Sequence, residues 1–144
     1  MTEYVLKKGE IVVATLRRPS DLSDLLIQYP ASQLLILECD VRNYEQVRQA
    51  LEKTVETFGA CHIVFNNAGV GMLAEAEGTP YEAAKYLFDI NFWGATNVCR
   101  EAVRVFRDLN GKDAAGNHVG GLLLNMSSIM SFIGLPGLSY YAAR

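Results

Sequence analysis

The stretch Cys61–Gly69, with the sequence CHIVFNNAG, contains a largely apolar run that ends in two asparagines, an alanine and a glycine. The run is continuous rather than alternating, which is typical of a strand covered by helices on both faces of a parallel sheet. Three further short runs have the same character: Ile11–Leu16, Gln33–Cys39 and Gly120–Asn125. We therefore expect four buried strands, the third of them at Cys61–Asn66.

Helical patterns separate these runs. Apolar residues recur every three or four positions in Tyr44–Phe58 and in Pro80–Phe106, and a shorter helix is expected at Asp21–Gln28. Thr79 is the expected N-cap of the longest helix, and a bend is expected near Gly94. The alternation of strands and helices predicts an α/β fold with a parallel sheet, whose ligand site lies at the carboxyl ends of the strands.

The composition limits the kind of protein this is. The 144 residues are 50% hydrophobic and 20% charged, which is typical of one globular domain. The net charge is −3 and no basic stripe is present, so nucleic acid is not an expected partner. The longest apolar run, Gly120–Met126, is far shorter than the roughly 20 residues of a membrane-spanning helix, and the first residues lack an apolar signal core. We expect no membrane span and a cytoplasmic location.

Three cysteines, Cys39, Cys61 and Cys99, are too widely spaced for a disulfide framework or a CxxC zinc site. Cys61 adjoins His62, but neighbouring residues of a strand point to opposite faces of the sheet. We therefore expect buried thiols and no bound metal.

Several motifs in the same chain order resemble the short-chain dehydrogenase/reductase family, and the resemblance extends from about Gly9 to Arg144. The motifs are Asn66–Gly69, Asp89–Gly94, Asn125–Ser128 and Tyr141, which follows Ser128 by thirteen positions. The resemblance implies a doubly wound, Rossmann-like parallel sheet. It also implies hydride transfer between a nicotinamide cofactor and a small-molecule carbonyl or secondary alcohol, and a homodimer formed through the long helix.

The resemblance further implies roles for individual residues. Ser128 would hydrogen-bond the substrate carbonyl, Tyr141 would donate or accept the proton, and Asn91 would help to hold a proton-relay water. Asp40 and Val41 would contact the adenine. The segment that borders the adenosine would consist of Asn66, Asn67, Ala68 and Gly69. For that segment a plain Asx-Gly turn is the alternative, and for Asp40 the solvated end of a strand.

Two arginines, Arg17 and Arg18, follow the first apolar run, where dinucleotide folds that use NAD often have an acidic residue. A guanidinium is suited instead to a 2′-phosphate, so the charge pattern favours NADP over NAD. The alternative is a solvated arginine pair before a proline.

Two parts of the family pattern are not found within these residues. The family's lysine would follow Tyr141 by four positions, at position 145, whereas Arg144 follows Tyr140 by four and leaves a second register open. No glycine-rich phosphate turn occurs, and Met1–Lys8 resembles the end of the helix that would follow such a turn. We therefore expect a single incomplete NAD(P)-binding domain over 1–144 that lacks the first, central strand and the C-terminal strands. The first and third apolar runs would then have unpaired edges that face a gap.

Two functional hypotheses follow. The first is an NADP-dependent oxidoreductase of this family. We expect these 144 residues to lack activity by themselves, because they contain neither the glycine-rich turn that would bind phosphate nor the lysine that would assist proton transfer. The second is a non-catalytic fragment, or an interaction module that acts through the long helix.

Overall fold

The computed structural model describes residues 1–143 and confirms the α/β alternation. The four strands lie inside the four predicted runs and are one or two residues shorter, because ladder pairing covers only the part of each run that faces its neighbour. They are β1 (Val12–Leu16), β2 (Leu34–Glu38), β3 (Ile63–Asn66) and β4 (Leu122–Asn125).

The strands form two parallel pairs. β1 pairs with β2, with Val12 opposite Leu34, and β3 pairs with β4, with Ile63 opposite Leu122. Within residues 1–143, β1 and β3 pair neither with each other nor with a further strand. The sheet is therefore split between its first and third strands, as the sequence predicts, and within residues 1–143 the second edges of β1 and β3 are unpaired.

The helices are α1 (Thr2–Leu6), α2 (Ser23–Gln28), α3 (Tyr44–Phe58), α4 (Tyr81–Phe88), α5 (Ala95–Arg104) and α6 (Ser139–Ala143). A 3₁₀ turn at Pro19–Leu22 takes the first turn of the helix expected from Asp21. Helix α3 has its predicted bounds because both ends are determined locally. The Asn43 side chain accepts hydrogen bonds from two N–H groups of the first turn, and Gly59 adopts φ +84° at the C-cap. Among the described helices, none combines the length and apolarity needed to span a bilayer.

Residues 81–109 form one continuous helical stretch, hereafter the long helix. A π-helical turn at Asp89–Gly94 joins α4 to α5, and a second at Val105–Leu109 extends the stretch beyond its predicted end. The first of these turns ends at Gly94, near which the sequence predicts a bend. The prediction of Thr79 as N-cap is wrong: its hydroxyl donates to the carbonyl of Glu75 at 2.6 Å, and Pro80 takes the N-cap position.

Two apolar clusters form the core. The first packs α1 and α2 on β1 and β2, through Leu6, Ala14, Leu25 and Leu34. The second packs the long helix on β3, through Cys61, Val64, Ala102 and Val105. Glu101 is 1% exposed, accepts from the hydroxyl of Tyr44 on α3 and pairs with Arg104 at 2.7 Å. The long helix is thus fixed to the second half-sheet and to α3.

Candidate active site

A cavity of about 390 Å³ lies at the carboxyl ends of β3 and β4. Its walls come from four parts of the chain: the segment 66–71 that begins at the end of β3, the long helix at Asn91–Cys99, the segment 125–127 that begins at the end of β4, and Tyr141 on α6. The carboxyl ends of parallel strands are where ligands bind in open α/β sheets. The cavity is therefore the candidate active site.

The floor of the cavity is a buried amide, that of Asn66. Its Nδ2 donates to Oδ1 of Asn125 at 2.9 Å and to the carbonyl of Ala95 at 3.1 Å. Asn66 is 7% exposed, and both of its amide protons have protein acceptors. This amide links the end of β3 to the end of β4 and to the long helix, and so holds these three elements together at the cavity.

The loop after β3 is held by Asn91. Oδ1 of Asn91 accepts from the N–H of Val70 and Nδ2 donates to the carbonyl of Val70, both at 2.8 Å. A Cβ on Gly69 would lie 3.3 Å from that Oδ1, a tight contact that glycine avoids. Asn67 and Ala68 line the cavity beside Gly69. The result is a fixed wall of small residues.

Of the two residues predicted to act on the substrate carbonyl, Tyr141 lies in the cavity wall and Ser128 does not. Tyr141 lines the cavity, whereas Tyr140 is not part of its wall. The hydroxyl of Ser128 accepts from the N–H of Met130 at 3.3 Å and caps a 3₁₀ turn at Ile129–Ser131, outside the cavity lining. Arg144, on which the alternative register depends, lies outside the described residues.

Ser127 lines the cavity in place of Ser128, and its Oγ lies 3.4 Å from that of Ser131. Sequence reasoning passed over Ser127 although it belongs to the same Asn-Met-Ser-Ser motif. The signal that could have found it is the adjacency of the two serines, because one residue of rotation decides which hydroxyl faces the site.

Three further residues that were predicted to bind the nucleotide, Arg17, Asp40 and Val41, follow the ends of β1 and β2. The guanidinium Nε of Arg42 donates to both carboxylate oxygens of Asp40 at 3.0 Å, and this lowers the pKa of Asp40 below its usual range. Val41 packs against Gly94, and its carbonyl accepts from Nδ2 of Asn97 at 3.0 Å. Neither Asp40 nor Val41 belongs to the lining of the cavity.

Arg17 donates from Nη1 to the hydroxyl of Tyr86 at 3.0 Å. The guanidinium of Arg42 stacks over the ring of Tyr86, with 5.1 Å from its carbon to the ring centroid. Sequence reasoning missed both Arg42 and Tyr86, since nothing in the local pattern of the helix singles out a tyrosine at 86.

The cysteines divide into two kinds. Cys39 and Cys61 are buried as predicted, and burial raises the pKa of the Cys39 thiol to about 11. Cys99 is only half-buried because it faces the cavity, where its Sγ donates to Oδ1 of Asn125 at 3.2 Å. Within residues 1–143, no group of three or more His, Cys, Asp or Glu side chains is placed to hold a metal ion.

Comparison with known proteins accords with this geometry. A family model described as short chain dehydrogenase matches residues 1–144. An uncharacterized oxidoreductase of Schizosaccharomyces pombe is 33% identical over 138 residues, which cover 96% of this chain and 43% of that protein.

Solved structures show the same fold. A short-chain dehydrogenase from Streptomyces avermitilis aligns with a TM-score of 0.83 and 25% identity, over 98% of this chain and 49% of that one. The structure of ElxO with NADP bound aligns with a TM-score of 0.82 and 21% identity, over 98% of this chain and 54% of that one. The chain spans about half the length of these proteins. Since the family model matches the chain from end to end, the chain belongs to the short chain dehydrogenase family.

Proposed function

We propose that these residues form part of an NADP-dependent oxidoreductase that interconverts a carbonyl compound and a secondary alcohol. The observation that carries the proposal is the cavity at the ends of β3 and β4, which collects Tyr141, Asn91 and the wall Asn67–Gly69 from separate parts of the chain. A hydroxyl and a flat wall of small residues in one cavity are what a nicotinamide and a small carbonyl substrate need.

The described residues fit such a cofactor at two places. Gly69 carries no side chain and packs closely beside Asn91, so a flat ring can approach the backbone of the wall closely. Arg17 offers a guanidinium to a 2′-phosphate at the end of β1, and the NADP-bound structure of the similar fold supports the choice of cofactor class. When bound, the cofactor supplies or accepts the hydride.

The side chains of this chain bind the substrate carbonyl and transfer the proton. Ser128 stays the proposed donor to the carbonyl oxygen: its hydroxyl accepts from the N–H of Met130 outside the cavity lining, so it must turn toward the cavity before its O–H can donate to the substrate. The hydroxyl of Tyr141 then exchanges the proton with the same oxygen. Asn91 holds the wall of the site through Val70.

The test compares Tyr141→Phe with Tyr140→Phe in a protein of the relatives' length that carries these 144 residues. Phenylalanine keeps the packing of the ring and removes the proton, so Tyr141→Phe is expected to lower kcat/KM for NADPH-dependent ketone reduction by at least about 100-fold. Tyr140→Phe, the matched control, should retain most of the activity, with melting temperatures unchanged in both. The reverse ranking would contradict the assignment, and a folded protein without turnover would favour the non-catalytic alternative.

A homodimer through the long helix is the second part of the proposal. Trp93 and Val103 are 57% and 51% exposed on this helix, so it leaves apolar side chains available for a second subunit to cover. Sedimentation velocity of the chain and of Val103→Glu checks it: the variant should shift from dimer to monomer. A monomeric parent chain would overturn this part.

A further inference from the structure

The carboxyl ends of β1 and β2 carry a cluster of charged and aromatic side chains built around Tyr86. Arg17 donates to the hydroxyl of Tyr86, and Arg42 covers the face of the Tyr86 ring. Arg42 is held in turn by Asp40 through bonds to both carboxylate oxygens. One tyrosine of the long helix therefore contacts two guanidiniums that come from two different strand ends.

The two guanidiniums differ in how their charge is used. Arg42 is neutralised by Asp40, and Asp89 lies close enough to add to that effect. Arg17 takes part in none of the ion pairs formed among residues 1–143, while its neighbour Arg18 pairs with Asp21 at 3.4 Å. Arg17 does contribute, after Arg42, to the lowered pKa of Asp40, but its direct hydrogen-bond partner is a phenol rather than a carboxylate, so its N–H groups are not engaged in an ion pair.

The direction of the Arg17–Tyr86 hydrogen bond has a chemical consequence. An arginine donates only, so the hydroxyl of Tyr86 accepts from Nη1 and keeps its own proton. That proton and the remaining N–H groups of Arg17 can be donated to one anion. Three oxygens on a single phosphorus are suited to such a set of donors.

We propose that Tyr86 is a positioning residue for nucleotide selection, which holds Arg17 so that Arg17 and the Tyr86 hydroxyl together bind the 2′-phosphate of an adenosine nucleotide. The inference rests on the proposed use of NADP. The physical reason is preorganisation: a free arginine loses much rotamer freedom when it binds a phosphate, and a side chain already held loses less.

The probes are adenosine 2′,5′-bisphosphate and adenosine 5′-monophosphate, which differ only in the 2′-phosphate, titrated calorimetrically into a protein of the relatives' length that carries these 144 residues. Tyr86→Phe is expected to weaken the bisphosphate about fivefold to thirtyfold and to leave the monophosphate unchanged. Tyr81→Phe is the matched control, because Tyr81 lies on the same helix and is 75% exposed. In an Arg17→Gln background, Tyr86→Phe should have a much smaller effect, since there is no guanidinium to hold.

The outcomes separate the inference from the proposed function. A parent chain that binds both probes equally refutes the use of NADP, and with it the inference. A parent that prefers the bisphosphate, loses the preference with Arg17→Gln and keeps it with Tyr86→Phe refutes the inference alone. Equal weakening of both probes by Tyr86→Phe also refutes it, because the tyrosine would then only support the fold.

Discussion

Gly94 is the point where the long helix touches the end of β2, and Gly94→Ala is expected to destabilise the chain. An added Cβ would lie 2.6 Å from Cγ2 of Val41, whereas carbon atoms in contact stay about 3.5 Å apart, so an overlap of about 1 Å must be relieved. Overpacking of this kind costs about 1–3 kcal/mol. Alanine gains about 1 kcal/mol over glycine as a helix former. The net loss in the free energy of unfolding should be about 1 kcal/mol.

A double-mutant cycle measures this contact. Val41→Ala removes the methyl group that causes the 2.6 Å overlap and leaves the Cβ of residue 41 at 3.1 Å, so in that background Gly94→Ala should cost clearly less than in the parent, or be neutral, in urea unfolding. Gly120→Ala is the matched control, because no heavy atom lies within 4 Å of its Cβ position, and it should stay within about 0.5 kcal/mol of the parent. An equal cost of Gly94→Ala in both backgrounds would refute the reasoning and place the strain at the Cβ of residue 41 or at the carbonyl oxygen of Asp89, 3.1 and 3.2 Å away.

Two further predictions concern buried groups. Asn110 is 5% exposed and bonds both backbone groups of Cys61, at 2.8 and 2.7 Å, so Asn110→Ala should cost about 2–4 kcal/mol in urea unfolding, and a loss below about 0.5 kcal/mol would contradict this. Iodoacetamide at pH 8 should modify Cys99 first in the folded chain, because burial raises the pKa of Cys39 to about 11 and also raises that of Cys61. Peptide mass spectrometry checks the order, and equally fast alkylation of Cys39 would refute it.

Elements with local signals could be predicted from the sequence. Helix α3 has an Asn43 cap, a Gly59 cap and a regular apolar stripe, and its bounds agree with the structure residue for residue. The parallel pairing of the strands also follows from their continuous apolar character. These features depend on contacts between residues close in sequence, or on burial of a whole run. Both are visible in the sequence, as capping residues or as the spacing of apolar residues.

Features that depend on distant contacts could not be predicted. Thr79 has the side chain of an N-cap, but its hydroxyl bonds to the loop before it, and that loop's path is decided by tertiary contacts. The rotation of Ser127 and Ser128 depends on where the strand β4 ends and the 3₁₀ turn begins. Tyr86 and Arg42 meet only because two strand ends and a helix are brought together.

The long helix gives the two halves of the sheet a common frame. β1 and β3 are not hydrogen-bonded to each other within the described part of the chain. Strand pairing therefore does not fix the position of Arg17, at the end of β1, relative to the cavity at the end of β3. Tyr86 fixes the end of β1 through Arg17, Gly94 fixes the end of β2 through Val41, and Asn91 lies between them at the cavity wall. A cofactor that reaches from Arg17 to the cavity would therefore have both of its ends positioned by residues of one helix, and a change at Gly94 should alter nucleotide selection as well as stability.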